Sequence, residues 1–383
     1  MNRCSGLAML LLVGAFSAPT GAMGQNNPHA FGTGVQFQSF TFDEGLGASV
    51  ANLTLIPMAY TLPMGDVFTV DFYGAYAMGA VEKENADGVA ETFELIGMVD
   101  TRLRASLQVA PWAVFTAAVT IPTGNSAHDN NEAAVASVLS TDILGFREAN
   151  WGTGAAVTGG LATAYQGGKW GLGLGASYRY SNGFKPTDGV DLTYQPGNEI
   201  RVRVGVDRNV GEGGKFTAGF TWQNYSEDLY DDRNLFKAGS RFRGDMSMAF
   251  RTGRATWALY AANVWREQGD AFLDLVDAAG TVVGDTTVTV GHQNLLVAGL
   301  SGSAPLGSVL RIRPALEFRY QTREEEDGEG WIAGAGADIP LRFFGAMDAF
   351  PRGKFYWGQL MAPTGEKVSL WGVEAGVTLR WRF

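Results

Sequence analysis

Cysteine is all but missing from this chain of 383 residues. Cys4 stands alone near the start, so a disulfide framework and a cysteine metal site are both excluded for everything that follows it. Histidine occurs only at His29, His128 and His292, far apart, in no metal-ligand spacing and beside no serine and aspartate set. A hydrolase needs its nucleophile and base within hydrogen-bond reach, so no enzyme, no metal and no cofactor is expected. Positive charge is in deficit, with 29 Lys plus Arg against 39 Asp plus Glu and a formal net charge of −10. That removes the basic footprint of a nucleic-acid binder. Beyond residue 24 no uninterrupted apolar run reaches the roughly 20 residues of a membrane-spanning helix.

Residues 1–24 have Arg3, an apolar run and then Ala22, Met23 and Gly24, the pattern of a secretory signal peptide. Residues 25–383 read as one domain. The 52 glycines and 12% aromatics suit many tight turns and girdles of ring side chains. The end of the chain carries the clearest signal. Trp371, Val373, Ala375, Val377, Leu379, Trp381 and Phe383 share one parity; Gly372, Glu374, Gly376, Thr378, Arg380 and Arg382 share the other. Side chains of a strand alternate faces, so one face is wholly apolar.

This aromatic-ended final strand resembles the C-terminal signal of Gram-negative outer-membrane β-barrels. The resemblance implies an all-β, antiparallel, up-and-down transmembrane barrel in the cell outer membrane. It also implies lipid and lipopolysaccharide as surroundings, and engagement of the barrel-assembly machinery through the strand ending at Phe383.

The rest of the chain reads as a meander in which short connectors (63–66, 110–112, 166–169, 209–214, 252–254, 305–307, 348–353) alternate with longer, more acidic ones (44–49, 81–91, 122–152, 181–197, 226–235, 265–287, 321–330, 363–368). This gives about 16 strands, with 14 open because residues 30–43 and 354–362 alternate poorly. Arg102, Arg104, Arg201, Arg203, Arg241, Arg243, Arg311, Arg313 and Arg319 oppose apolar faces on their strands. An arginine facing lipid near the midplane costs about 2 to 4 kcal/mol, so these should line the pore together with Asp100, Asp207, Asp245 and Glu317. Carboxylate runs such as Glu324 to Asp327 and Asp228 with Asp231 and Asp232 lack the spacing of a calcium loop and are expected as solvated tips.

The connector 122–152 holds a short amphipathic helix, with Val135, Leu139, Ile143 and Phe146 at helical spacing over residues 133–146. If it folds inward it constricts the lumen. The small-residue lumen faces 154–164 and 171–175 are the expected landing surface. Residues 114–121 leading into Pro122-Thr123-Gly124, the helical loop and the glycine-rich strands after it resemble in outline the FadL-like and phenol-degradation (MetA-type) transporters. The N-terminal Asn-Pro-Ala hatch of the fatty-acid transporters has no match beyond Asn27-Pro28-His29. That resemblance implies passive uptake of small hydrophobic or amphipathic solutes. A general diffusion porin for small polar or anionic solutes and a non-transporting structural barrel are the alternatives.

Overall fold

The computed structural model describes residues 29–84, 89–148, 151–211, 213–276, 282–307, 310–324, 328–343 and 346–383. The leader 1–24 lies outside the described residues.

In chain order the elements are β1 (Ala30–Phe42), β2 (Val50–Met64), β3 (Phe68–Glu84), β4 (Ala90–Ala110), β5 (Ala113–Ile121), α1 (Asn130–Leu139), β6 (Ala156–Gly167), β7 (Trp170–Ser181), β8 (Tyr194–Gln195), β9 (Glu199–Val210) and β10 (Gly214–Tyr225). There follow β11 (Asp228–Tyr230), β12 (Arg233–Lys237), β13 (Arg241–Thr252), β14 (Ala255–Arg266), β15 (Gly269–Val276), β16 (Val282–Val290), β17 (Gln293–Leu306), β18 (Leu310–Arg323), β19 (Gly330–Asp338), β20 (Leu341–Phe343), β21 (Met347–Met361) and β22 (Lys367–Arg382). Sixteen of the strands form a closed antiparallel barrel, each pairing with the next, and β22 returns to β1 in register from Leu370 to Arg382. Closure leaves no sheet edge unpaired in lipid, which is why a barrel can cross a membrane. Leu316, Phe318 and Tyr320 of β18 stand outward and exposed while Glu317, Arg319 and Gln321 turn inward, as the alternation requires.

One end of the barrel carries the tight turns and the other the long loops. The turn expected at 348–353 is instead the interior of β21, and the chain reverses earlier, after β19. Pro351 can sit in the strand because its carbonyl accepts from Ile339 N, so its missing N–H faces the same side, where β19 has already ended. The loops expected over 181–197, 226–235 and 265–287 are also more than loops. They contribute β8, β11, β12, β15 and β16 to a second, five-stranded sheet at the loop end. Within it Asp228 accepts from the Tyr194 hydroxyl at 2.6 Å and from Gly197 N at 2.6 Å, so this carboxylate braces the sheet rather than standing in solvent.

Candidate functional site

The segment between β5 and β6 crosses the lumen. Its base is fixed at a β-bulge in β4, where Asp100 and Thr101 face the single residue Gly74 of β3 and the inward parity of β4 changes. Asp100, expected on the pore lining, is only 3% exposed. Its two carboxylate oxygens accept from Gly124 N (3.0 Å) and Thr153 N (2.7 Å), so the outgoing and returning limbs of the loop meet on one side chain. Thr101 N donates to Thr123 Oγ1 at 2.9 Å, and Asp100 N donates to Trp151 O at 2.8 Å.

From this base α1 begins at Asp129, whose carboxylate caps Asn131 N and Glu132 N while the Glu132 side chain returns to Asp129 N. The helix is shorter than the spacing predicts. It ends at Leu139, and Ile143 and Phe146 follow in turns after the Ser140 cap. Val135, Leu139 and Ile143 are nonetheless at most 1% exposed and Phe146 8%. Their landing surface differs from the expected one. The helix packs on β2, β3 and β4, against Leu53, Leu55, Ala77, Leu95 and Val99, and not on the glycine-rich faces of β6 and β7. Gly79 makes room beneath it: a Cβ there would lie 2.7 Å from Leu139, 3.0 Å from Trp151 and 3.2 Å from Val135, so those buried side chains would have to shift. Trp151 is fully buried and donates Nε1 to Ala77 O.

Beyond the helix the loop reaches the opposite wall. Gly145, at φ +60°, turns the carbonyls of Ile143 and Leu144 onto the Arg319 guanidinium, 2.9 Å for the first, and a Cβ at 145 would strike that guanidinium. Arg319 is held in turn by Glu317, which also accepts from Lys354 at 2.6 Å. Arg147 donates to Glu374 (2.8 Å) and its backbone N to Gln38 (3.0 Å); Tyr356 donates to the other oxygen of Glu374 at 2.9 Å. Phe146 meets Phe40 edge-on with ring centroids 5.4 Å apart. Asp142 accepts weakly from Arg266 and Gln293. Glu148 accepts from the Tyr73 hydroxyl at 2.8 Å and lies 3.8 Å from Arg102. Burial pushes its carboxyl above the usual range, with Arg102 and that hydroxyl pulling the other way.

Most of the other arginines named from sequence have partners on nearby strands. Arg104 pairs with Asp71 at 2.6 Å, Arg201 with Glu199 at 2.7 Å, and Arg203 with both oxygens of Asp245 at 2.8 Å. Arg243 lies 3.8 Å from Asp245, and Asp207 lies 3.5 Å from Lys215. Arg311 donates to Ser303 near the turn end, while Arg313 pairs with Asp338 beneath the Phe350 ring. Sequence reasoning missed Gly79, Arg147, Glu148, Trp151, Tyr356 and Glu374; among these only the single acid amid the glycines of the last strand, Glu374, stood out by pattern. His29 contacts the Tyr60 hydroxyl, and His128 and His292 each face a glutamate. Among the described residues no group of three His, Cys, Asp or Glu could hold a metal ion.

No protein-family model matches this chain, and no curated protein does. Solved structures do. A deletion variant of the TodX monoaromatic hydrocarbon channel superposes with a TM-score of 0.50 at 11% identity, over 94% of this chain and 91% of its own. A FadL homologue of Pseudomonas aeruginosa gives 0.45 at 8% identity over 93% and 90%, and the CymD monoaromatic hydrocarbon channel 0.41 at 10% over 94% and 89%. The first of these likenesses shows the fold alone, that of a closed antiparallel β-barrel.

Proposed function

We propose that this chain is an outer-membrane channel for the passive uptake of small solutes of hydrophobic or amphipathic character. The turn end then faces the periplasm and the long loops face the exterior. The observation that carries this reading is the loop 122–155, rooted on Asp100 and fastened across the lumen to Arg319 and Glu374. Sixteen strands enclose space enough for an aqueous pore, and a wide diffusion porin needs that space left free. Here a packed apolar cluster occupies part of it. What stays uncovered by α1 is the small-residue wall of β6 and β7 and the arginine-bearing wall of β9 to β13, a combination that suits a solute with an apolar body. The TodX relative's own description as a monoaromatic hydrocarbon channel agrees with that class.

Liposomes loaded with the folded barrel test it. Uptake of a small amphipathic solute such as benzyl alcohol should be accelerated by the protein, with arabinose entering far more slowly than through an open porin of equal strand number. Arabinose entry at open-porin rates would favour the general diffusion reading. No acceleration of any solute would favour a structural barrel.

A further inference from the structure

On the lumen face of β9, β13 and β14, arginines outnumber the carboxylates that could neutralise them. Asp245 has both oxygens committed to Arg203, which also donates to Thr221 at 2.8 Å. Arg243 is left with a contact of 3.8 Å to Asp245, and its Nε is buried without a hydrogen-bond acceptor. Arg241, two residues along the same strand and on the same face, has no carboxylate within ion-pair reach among the described residues. Its cross-strand partner in the ladder is Arg266, which has only long contacts, 3.4 Å to Asp142 and 3.5 Å to Gln293. Like charges directly opposite one another destabilise a sheet. A buried guanidinium donor with no acceptor also forfeits the hydrogen bonds water would supply. Arg241, Arg243 and Arg266, on adjacent strands about 5 Å apart, therefore form a group one anion short, in which the Arg243 Nε is a buried donor without an acceptor.

The neighbouring surface indicates what kind of anion. The cross-strand partner of Arg243 is Val264, and the next along that rung is Leu295, an aliphatic strip that runs up to the buried cluster around the loop. A bare inorganic ion would satisfy the guanidinium groups and ignore this strip. The geometry points to a binding station in the lumen for small organic carboxylates, with the carboxylate on Arg241 and Arg243 and the apolar body on Val264 and Leu295. It deepens the channel reading by naming the charged group of the solute, and rests on that reading for its place on a transport path. Planar guanidinium donors match the two oxygens of a carboxylate better than they match a neutral hydroxyl.

The test is equilibrium binding of sodium benzoate to the folded, full-length barrel in zwitterionic detergent, followed by titration calorimetry at fixed chloride. Native protein should bind benzoate saturably, with acetate and benzyl alcohol each weaker by at least about tenfold, since each lacks one of the two matching parts. The double substitution Arg241→Gln, Arg243→Gln should weaken benzoate by at least about tenfold. Arg342→Gln, at the turn end, should leave it unchanged. Arg241→Gln alone removes a like-charge contact and should fold at least as well as native, so it keeps the comparison open if the double variant assembles poorly; it too should lose affinity. Equal benzoate affinity in native and substituted barrels, absence of saturable binding by native protein, or equal binding of acetate and benzoate would each overturn the proposal. A native barrel that passes no solute yet binds benzoate with this dependence would reject the channel reading and leave the station standing.

Discussion

Arg319 is the residue on which the far end of the loop hangs. Its guanidinium holds the carbonyls of Ile143 and Leu144, and Gly145 supplies the backbone turn that presents them. Hydrogen bonds to a charged donor contribute about 1.5 to 3 kcal/mol each, so Arg319→Met should release the loop tip and raise conductance without unfolding the barrel. Single-channel recordings check this, and an unchanged conductance would mean that other contacts suffice. Glu148 adds a dependence on pH. Its carboxyl is raised in the docked loop, so docking takes up a proton. The sign follows from that direction: docking is weakest above the raised value, strengthens as pH falls through it, and levels off once the pH is below the ordinary carboxylate range. Conductance should accordingly fall as the pH is lowered towards the ordinary carboxylate range, and Glu148→Gln should flatten that profile. A profile identical in the variant would assign the dependence to another group.

The loop-bearing elements also explain which strands were legible from sequence. β18 and β22 alternate cleanly because one face meets lipid and the other meets water and arginine. β1 and β21 alternate poorly because their inward faces carry Phe40, Tyr356 and Leu360, which are buried under the loop. Apolar side chains on both faces erase a period of two. The helix in the long connector was visible as an apolar spacing, but its landing surface was not. The glycine runs of β6 and β7 offered room, whereas α1 docks where Gly79 lies opposite apolar residues of β2, β3 and β4, and beyond it Phe146 meets Phe40 of β1, itself packed on Tyr356 of β21, which brings opposite ends of the chain together. Such a surface exists only after the barrel closes. Overpacking a settled contact costs about 1 to 3 kcal/mol, so Gly79→Leu should displace α1 and raise conductance, whereas Gly173→Leu, on a wall the helix does not touch, should not. Proteolysis within residues 124–151 gives a second readout, with faster cleavage expected in Gly79→Leu alone.

At the scale of the whole molecule, closure between β1 and β22 and the crossing of the lumen are separable. Phe383 N donates to His29 O just beyond the last paired residues, and Phe383 itself is exposed. Deleting Phe383 should therefore lower the amount of heat-modifiable barrel assembled in the outer membrane by removing an assembly signal, with little effect on the lumen of barrels that do form. Unchanged assembly would count against a role for this residue in recognition by the assembly machinery. The loop can be removed independently, because Gly124 and Thr153 both bind Asp100 and a short glycine-serine linker can join them. The most direct measurement is the single-channel conductance of native protein beside this loop-excised barrel in the same bilayer and salt. With the loop spanning the lumen, native channels should conduct several-fold less than excised ones, which should approach an open pore of sixteen strands. Equal conductance in the two, with both folded, would contradict a loop that constricts the passage.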